Sequence, residues 1–78
     1  MSTVLRMDGY AVVIHTRDHP PPHVHVLYGG DEEEIVVNLR PIAVREVRGM
    51  RPQHIVEAVR IVEEHKIYLL IKWKVIHG

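Results

Sequence analysis

The chain has no cysteine among its 78 residues. That excludes disulfides and thiolate metal ligands, and it leaves the redox compartment unread. Phenylalanine is absent too, and tryptophan occurs once. No apolar run approaches the ~18–20 residues that cross a bilayer. The N-terminus lacks a basic stretch followed by an apolar one, so no signal peptide is apparent, and a cytoplasmic, non-membrane protein is the expectation. There is no excess of charge of either sign: 10 basic and 10 acidic side chains cancel. That balance argues against broad electrostatic binding to nucleic acid or anionic membrane. Repeats, low-complexity tracts and linkers are missing as well, so residues 1–78 read as one domain. With 46% apolar residues the chain is globular, with a thin core.

Histidine is what the chain has in plenty. Seven are present, and His15, His19, His23 and His25 fall close together around His19-Pro20-Pro21-Pro22-His23-Val24-His25-Val26. Below about pH 6 these rings can add up to seven positive charges. Each proline fixes φ, removes an amide donor and pushes the residue before it into an extended conformation. Pro20 to Pro22 therefore read as a short polyproline II segment. His23 to Tyr28 is rich in strand formers. On a strand, His23 and His25 share one face, roughly 6.5–7 Å apart at Cα, while Val24, Val26 and Tyr28 take the other. Two imidazoles so placed can converge on one metal ion or one anion. Histidines that are simply solvated, or bonded to loop carbonyls, are the plainer reading.

In chain order, Met1 to Met7 reads as a short edge strand or ordered arm, and Asp8-Gly9 as a turn. Tyr10 to His15 is the first main strand, His23 to Tyr28 the second, and Ile35 to Leu39 the third. Gly29-Gly30-Asp31 is a hairpin turn between the last two. Glu32 to Glu34 reads as a solvated strand end, its functional alternative being a cation site opposite the histidines. Arg40 to Met50 is irregular or holds one more short strand around Val44 to Val47. Arg40, Arg45 and Arg48 there, with Arg51 just beyond, are the only basic concentration, read as a solvated loop or an anion or RNA contact. Pro52 marks a helix start, although Arg51 is a poor cap. Ile55, Ala58, Val59, Val62, Leu69, Leu70, Trp73 and Ile76 then recur at helical spacing. They predict one long helix from Pro52 to about Val75, with a kink near His65, and with His54 and His65 on its surface. The expected fold is α+β: a small antiparallel sheet of three to four strands with one long C-terminal helix packed on one face.

One helix covers one sheet face. The other face would carry Ala11, Val13, His15, His23, His25, Leu27 and Val36, part apolar and part histidine. Such a surface predicts a homodimer or a small protein partner.

The runs Ser2 to Tyr10 and Asp18 to Val26, with the tail Arg60 to His65, Leu69-Leu70 and Trp73, resemble a family of small prokaryotic proteins. The family is catalogued as a domain of unknown function, number 4160 of its series. The resemblance covers nearly the whole chain. It implies a partner encoded nearby, of toxin–antitoxin-like type, by gene neighbourhood alone. The chain departs from the pattern where Val12, Val13 and Ile14 stand in place of aromatics, and where Arg51 stands for a small hydroxyl residue. His23 to Leu27 is also similar to part of the histidine-triad signature of nucleotide hydrolases. Leu27 stands where that signature needs another histidine, and the chain is short for that fold.

Two functions follow. The first is an interaction module whose histidine cluster takes a divalent metal, zinc or nickel, on His23 and His25 with His15 or His19 as a third ligand. Asp18 would orient a ring. The second is a small histidine-dependent hydrolase or ribonuclease-type toxin. There His23 or His25 would be general acid or base, and Arg45, Arg48 or Arg51 would stabilise a phosphate.

Overall fold

The computed structural model describes residues 2–78. Met1, part of the expected N-terminal arm, lies outside the described residues. Five strands run β1 (Ser2–Met7), β2 (Tyr10–Ile14), β3 (His23–Tyr28), β4 (Glu33–Leu39) and β5 (Ile42–Arg48). They pair in that order as an antiparallel meander. Two helices follow, α1 (Pro52–Glu64) and α2 (Lys66–His77).

The expectation of three to four strands falls short at both edges. The N-terminal run and the arginine-rich stretch each form a full strand. Asp8-Gly9 closes the first hairpin with positive φ at both residues, 54° and 85°. That is the two-residue turn that suits the twist of antiparallel strands. A Cβ on Gly9 would also lie 3.1 Å from the Tyr28 ring. Pairing slips by one residue in β1 between Thr3 and Leu5, and in β5, where Val36 faces Glu46 but Val37 faces Val44. Arg45 is the extra residue in β5. The proline run is not one uninterrupted polyproline II segment, because the Pro20–Pro21 bond is cis, as is Arg40–Pro41.

One sheet face and the helices enclose the core. Val12, Ile14, Val24, Val26, Ile35, Val37 and Leu39 meet Ala58, Ile61, Val62, Leu69 and Trp73 there. The single long helix is corrected to two. At His65 the backbone leaves helical geometry, with φ −113° and ψ 20°. Its ring Nδ1 bonds the Ile61 carbonyl at 2.8 Å, the same oxygen that accepts the His65 amide at 3.1 Å. Side-chain capture of a helix carbonyl is one of the recognised ways to bend a helix. The apolar stripe keeps phase across the break, which is why periodicity alone reads one helix.

The other sheet face is less open than expected. Val13 and Val36 flank His25 across the strands and are only 1% and 3% exposed. The exposed large apolar residues lie elsewhere: Val44 and Val47 on β5, Val56 on α1, and Ile67, Tyr68, Ile71 and Val75 on α2.

Candidate metal centre

Strand alternation delivers His23 and His25 to one side of β3, as expected, while Val24 and Val26 enter the core. What faces the two rings comes from the β2–β3 connection. The Asp18 amide donates to the His15 carbonyl at 3.1 Å, and the His15 amide donates to Asp18 Oδ2 at 3.2 Å. This reciprocal pair closes residues 15–18 into a tight turn. From α2, His77 Nε2 lies 3.1 Å from the same His15 carbonyl. The Trp73 ring packs 5.1 Å from the His23 ring and stacks on His77 at 3.8 Å. A loop with no regular structure is thus fixed from both sides.

The turn presents Asp18 Oδ2 to both imidazoles. His25 Nε2 is 3.2 Å from it and His23 Nε2 is 3.4 Å. The remaining ring nitrogens are engaged behind. Nδ1 of His23 lies 2.9 Å from the Pro21 carbonyl, which can only accept, so that nitrogen carries hydrogen. Nδ1 of His25 donates to Glu34 Oε2 at 2.8 Å. Glu34 in turn takes Arg48 Nη1 at 3.3 Å, and Arg48 Nε donates to Glu46 at 2.6 Å. His15 sets its ring edge-on to His25, centroids 4.3 Å apart. His23 and His25 are buried, at 3% and 8% exposure. Among the described residues no buried side-chain nitrogen or oxygen lacks a partner.

Burial pushes the Asp18 carboxyl upward. The His15 amide and the imidazoles of His25, His23 and His15 outweigh it and hold the group below its ordinary value. Burial, and then the neighbouring His25, lower His15 against the opposing pull of Asp18. An ionised Asp18 carboxylate is the state that suits cation binding. Asp18, His23 and His25 each offer one ligand atom, all within 4.8 Å of one another, and form a group able to hold a metal ion.

Of the four histidines expected to ligate, the structure brings His23 and His25 together. It sets His15 beside them, outside the three-residue group. His19 is exposed on the connection and does not join that group. Asp18, expected only to orient a ring, stands at the centre. The surface reading of the acidic run holds for Glu32, which is exposed. Glu34 instead orients His25, and Glu33 accepts from the Arg51 amide at 3.0 Å and from His54 Nδ1 at 2.8 Å. His54, expected on the helix surface, is half-buried with its ring 4.1 Å from Tyr28. The arginines are dispersed: Arg45 donates to Asn38 Oδ1 at 3.0 Å, Arg48 reaches the cluster through Glu34, and the Arg51 side chain is exposed. Glu34 was findable from the hairpin register, which places it on the face of His25 two rows along. The closure of residues 15–18 has no comparable signal in the sequence.

A family model described as Domain of unknown function (DUF4160) matches residues 9–74 of the chain. No curated protein matches it, and neither does any solved structure. Among the described residues no helix is long and apolar enough to cross a membrane.

Proposed function

The chain belongs to the DUF4160 family, and we propose that it is a small interaction module whose loop is set by a divalent cation held on Asp18, His23 and His25. One observation carries this reading. With both Nδ1 positions engaged behind the rings, the two Nε2 atoms converge on a single carboxylate oxygen. Three electron-rich atoms pointing at one another need positive charge between them, a proton or a metal. Zinc–ligand bonds of about 2.0–2.1 Å at tetrahedral angles put ligand atoms roughly 3.3 Å apart. The 3.2 Å and 3.4 Å separations from Asp18 to the rings agree with that spacing. Two imidazoles and a carboxylate suit zinc or nickel, and Pro21 and Glu34 supply the outer hydrogen bonds that orient such ligands. A cation here clips the connection to the sheet, and the exposed His19, Pro20 and Pro21 ride on that connection toward a partner.

No observation favours the hydrolase alternative. Arg48 is held by Glu34 and Glu46, and Arg45 by Asn38.

Calorimetric titration with zinc and with nickel, at about pH 7.5 and about pH 5.5, tests the site on either side of the ordinary imidazole value. Binding is expected at the higher pH and should weaken at the lower, because protons compete for the ring nitrogens. His23→Ala should abolish it, while His54→Ala should leave it intact. Equal behaviour of wild type and His23→Ala at both pH values would remove the metal reading.

A further inference from the structure

The meander leaves two sheet edges, β1 and β5, and they are not alike. On β1 the carbonyl of Val4 accepts a hydrogen bond from the Tyr68 hydroxyl of α2 at 2.8 Å. On β5 every residue from Ala43 to Arg48 is exposed. Val44 and Val47 are 41% and 49% exposed, although they pair with the core residues Val37 and Ile35. An uncovered edge with apolar side chains invites another strand.

The bulge decides which strand fits. In a regular strand, residues three apart point to opposite faces. In β5 the extra residue shifts that phase. Val44 lies opposite Val37 and Val47 opposite Ile35, so both share the helix-covered face. Glu46 lies opposite Val36 on the histidine face, and Arg45 reaches Asn38 on that same face. The order of faces along 44–47 is therefore helix side, histidine side, histidine side, helix side. That order is a palindrome. A regular strand laid against it must set a single residue against Arg45 and Glu46, as β4 does with Val36. A second β5, turned about a two-fold axis perpendicular to the sheet, matches it at every position.

We propose that β5 is the surface through which two copies of this chain pair, antiparallel and edge to edge, with Val44 opposite Val47 and Arg45 opposite Glu46 of the other copy. Each contact occurs twice by symmetry, as isologous interfaces require. The valines of one copy cover those of the other, and opposite charges meet directly across the pair. The exposed stripe Ile67, Ile71 and Val75 on α2 suits a second copy less well. That helix carries Lys66, Lys72 and Lys74 and no acid, so copy against copy would bring lysines together. The pairing is independent of the metal reading, since none of its residues belongs to the Asp18–His23–His25 group.

Sedimentation equilibrium of the full chain over a wide concentration range, with far-UV circular dichroism as the fold check, tests this. Wild type should show a reversible dimer. Arg45→Glu and Glu46→Arg should each weaken it roughly tenfold, because like charges then face each other twice. The double exchange Arg45→Glu with Glu46→Arg should restore much of the loss. The chain has no cysteine to confuse a cross-link. A mixture of Val44→Cys and Val47→Cys proteins should therefore oxidise to a mixed dimer, since directly opposed Cα atoms lie within disulfide reach. Val44→Cys alone should not. A wild type that stays monomeric overturns the proposal. So does a dimer indifferent to both charge changes, or one dissociated by Ile71→Lys instead.

Discussion

Asp18 shows how much one side chain depends on its backbone. Its carboxylate reaches the two rings only because its own amide and that of His15 lock the turn. Glu34 plays the matching part behind His25. Outer hydrogen bonds to a ligating imidazole are worth about 10–100-fold in metal affinity. Glu34→Gln is thus expected to weaken zinc binding by roughly that factor, with the fold retained. His19→Ala, at an exposed position outside the group, should change nothing. Competition titration against a chromophoric chelator reads both. At this scale the sequence was half legible. The alternation of His23 and His25 follows from strand geometry. The contact from Glu34 follows from the hairpin register across Gly29-Gly30, whereas the central place of Asp18 depends on a loop closure that no local pattern encodes.

At the scale of elements, the two faces of α2 make opposite predictions. Leu69 is fully buried, and Leu69→Ala should cost about 2–5 kcal/mol through the cavity it leaves. Ile67 is 69% exposed, and Ile67→Ala should stay within about 0.5 kcal/mol. Urea unfolding distinguishes the two. The inner strands were readable because β-branched runs follow the Asp8-Gly9 turn and flank the Gly29-Gly30 turn. The edge strands were legible only in part, as a short strand or arm over Met1 to Met7 and as a short strand or irregular stretch around Val44 to Val47. β5 is solvated along most of its length, and a bulge breaks its alternation, so neither a continuous nor an alternating apolar pattern survives. The helix break was hidden for a different reason. Val62, Leu69 and Trp73 hold one stripe across it, while the cause lies in a single imidazole taking a carbonyl.

For the molecule as a whole, acid should loosen the metal-free chain in two stages. His15, Glu33 and Asp18 are all held below their ordinary values: His15 by burial and the neighbouring His25, Glu33 by its bonds to His54 and the Arg51 amide, and Asp18 as described. Each therefore binds its proton less readily folded than unfolded. Their stabilisation is complete above the ordinary values and is lost as pH falls, from 6.5 downward for His15, then from 4.5 for Glu33 and 3.8 for Asp18. Urea midpoints in chelator across this range should fall in that order, and His15→Gln should flatten the first stage. The bond from His77 to the His15 carbonyl, joining positions 62 residues apart, has a further consequence in time. A ribosome delivers this chain from its N-terminus, and domains begin to fold as they emerge. All five strands precede α2, and each pairs with its immediate neighbour, so the sheet can assemble early. The turn bearing Asp18 gains its fastening from His77 only when α2 emerges. A chain interrupted before that point would carry the histidines in an unfinished setting, so the cluster is completed by a helix made after the whole sheet.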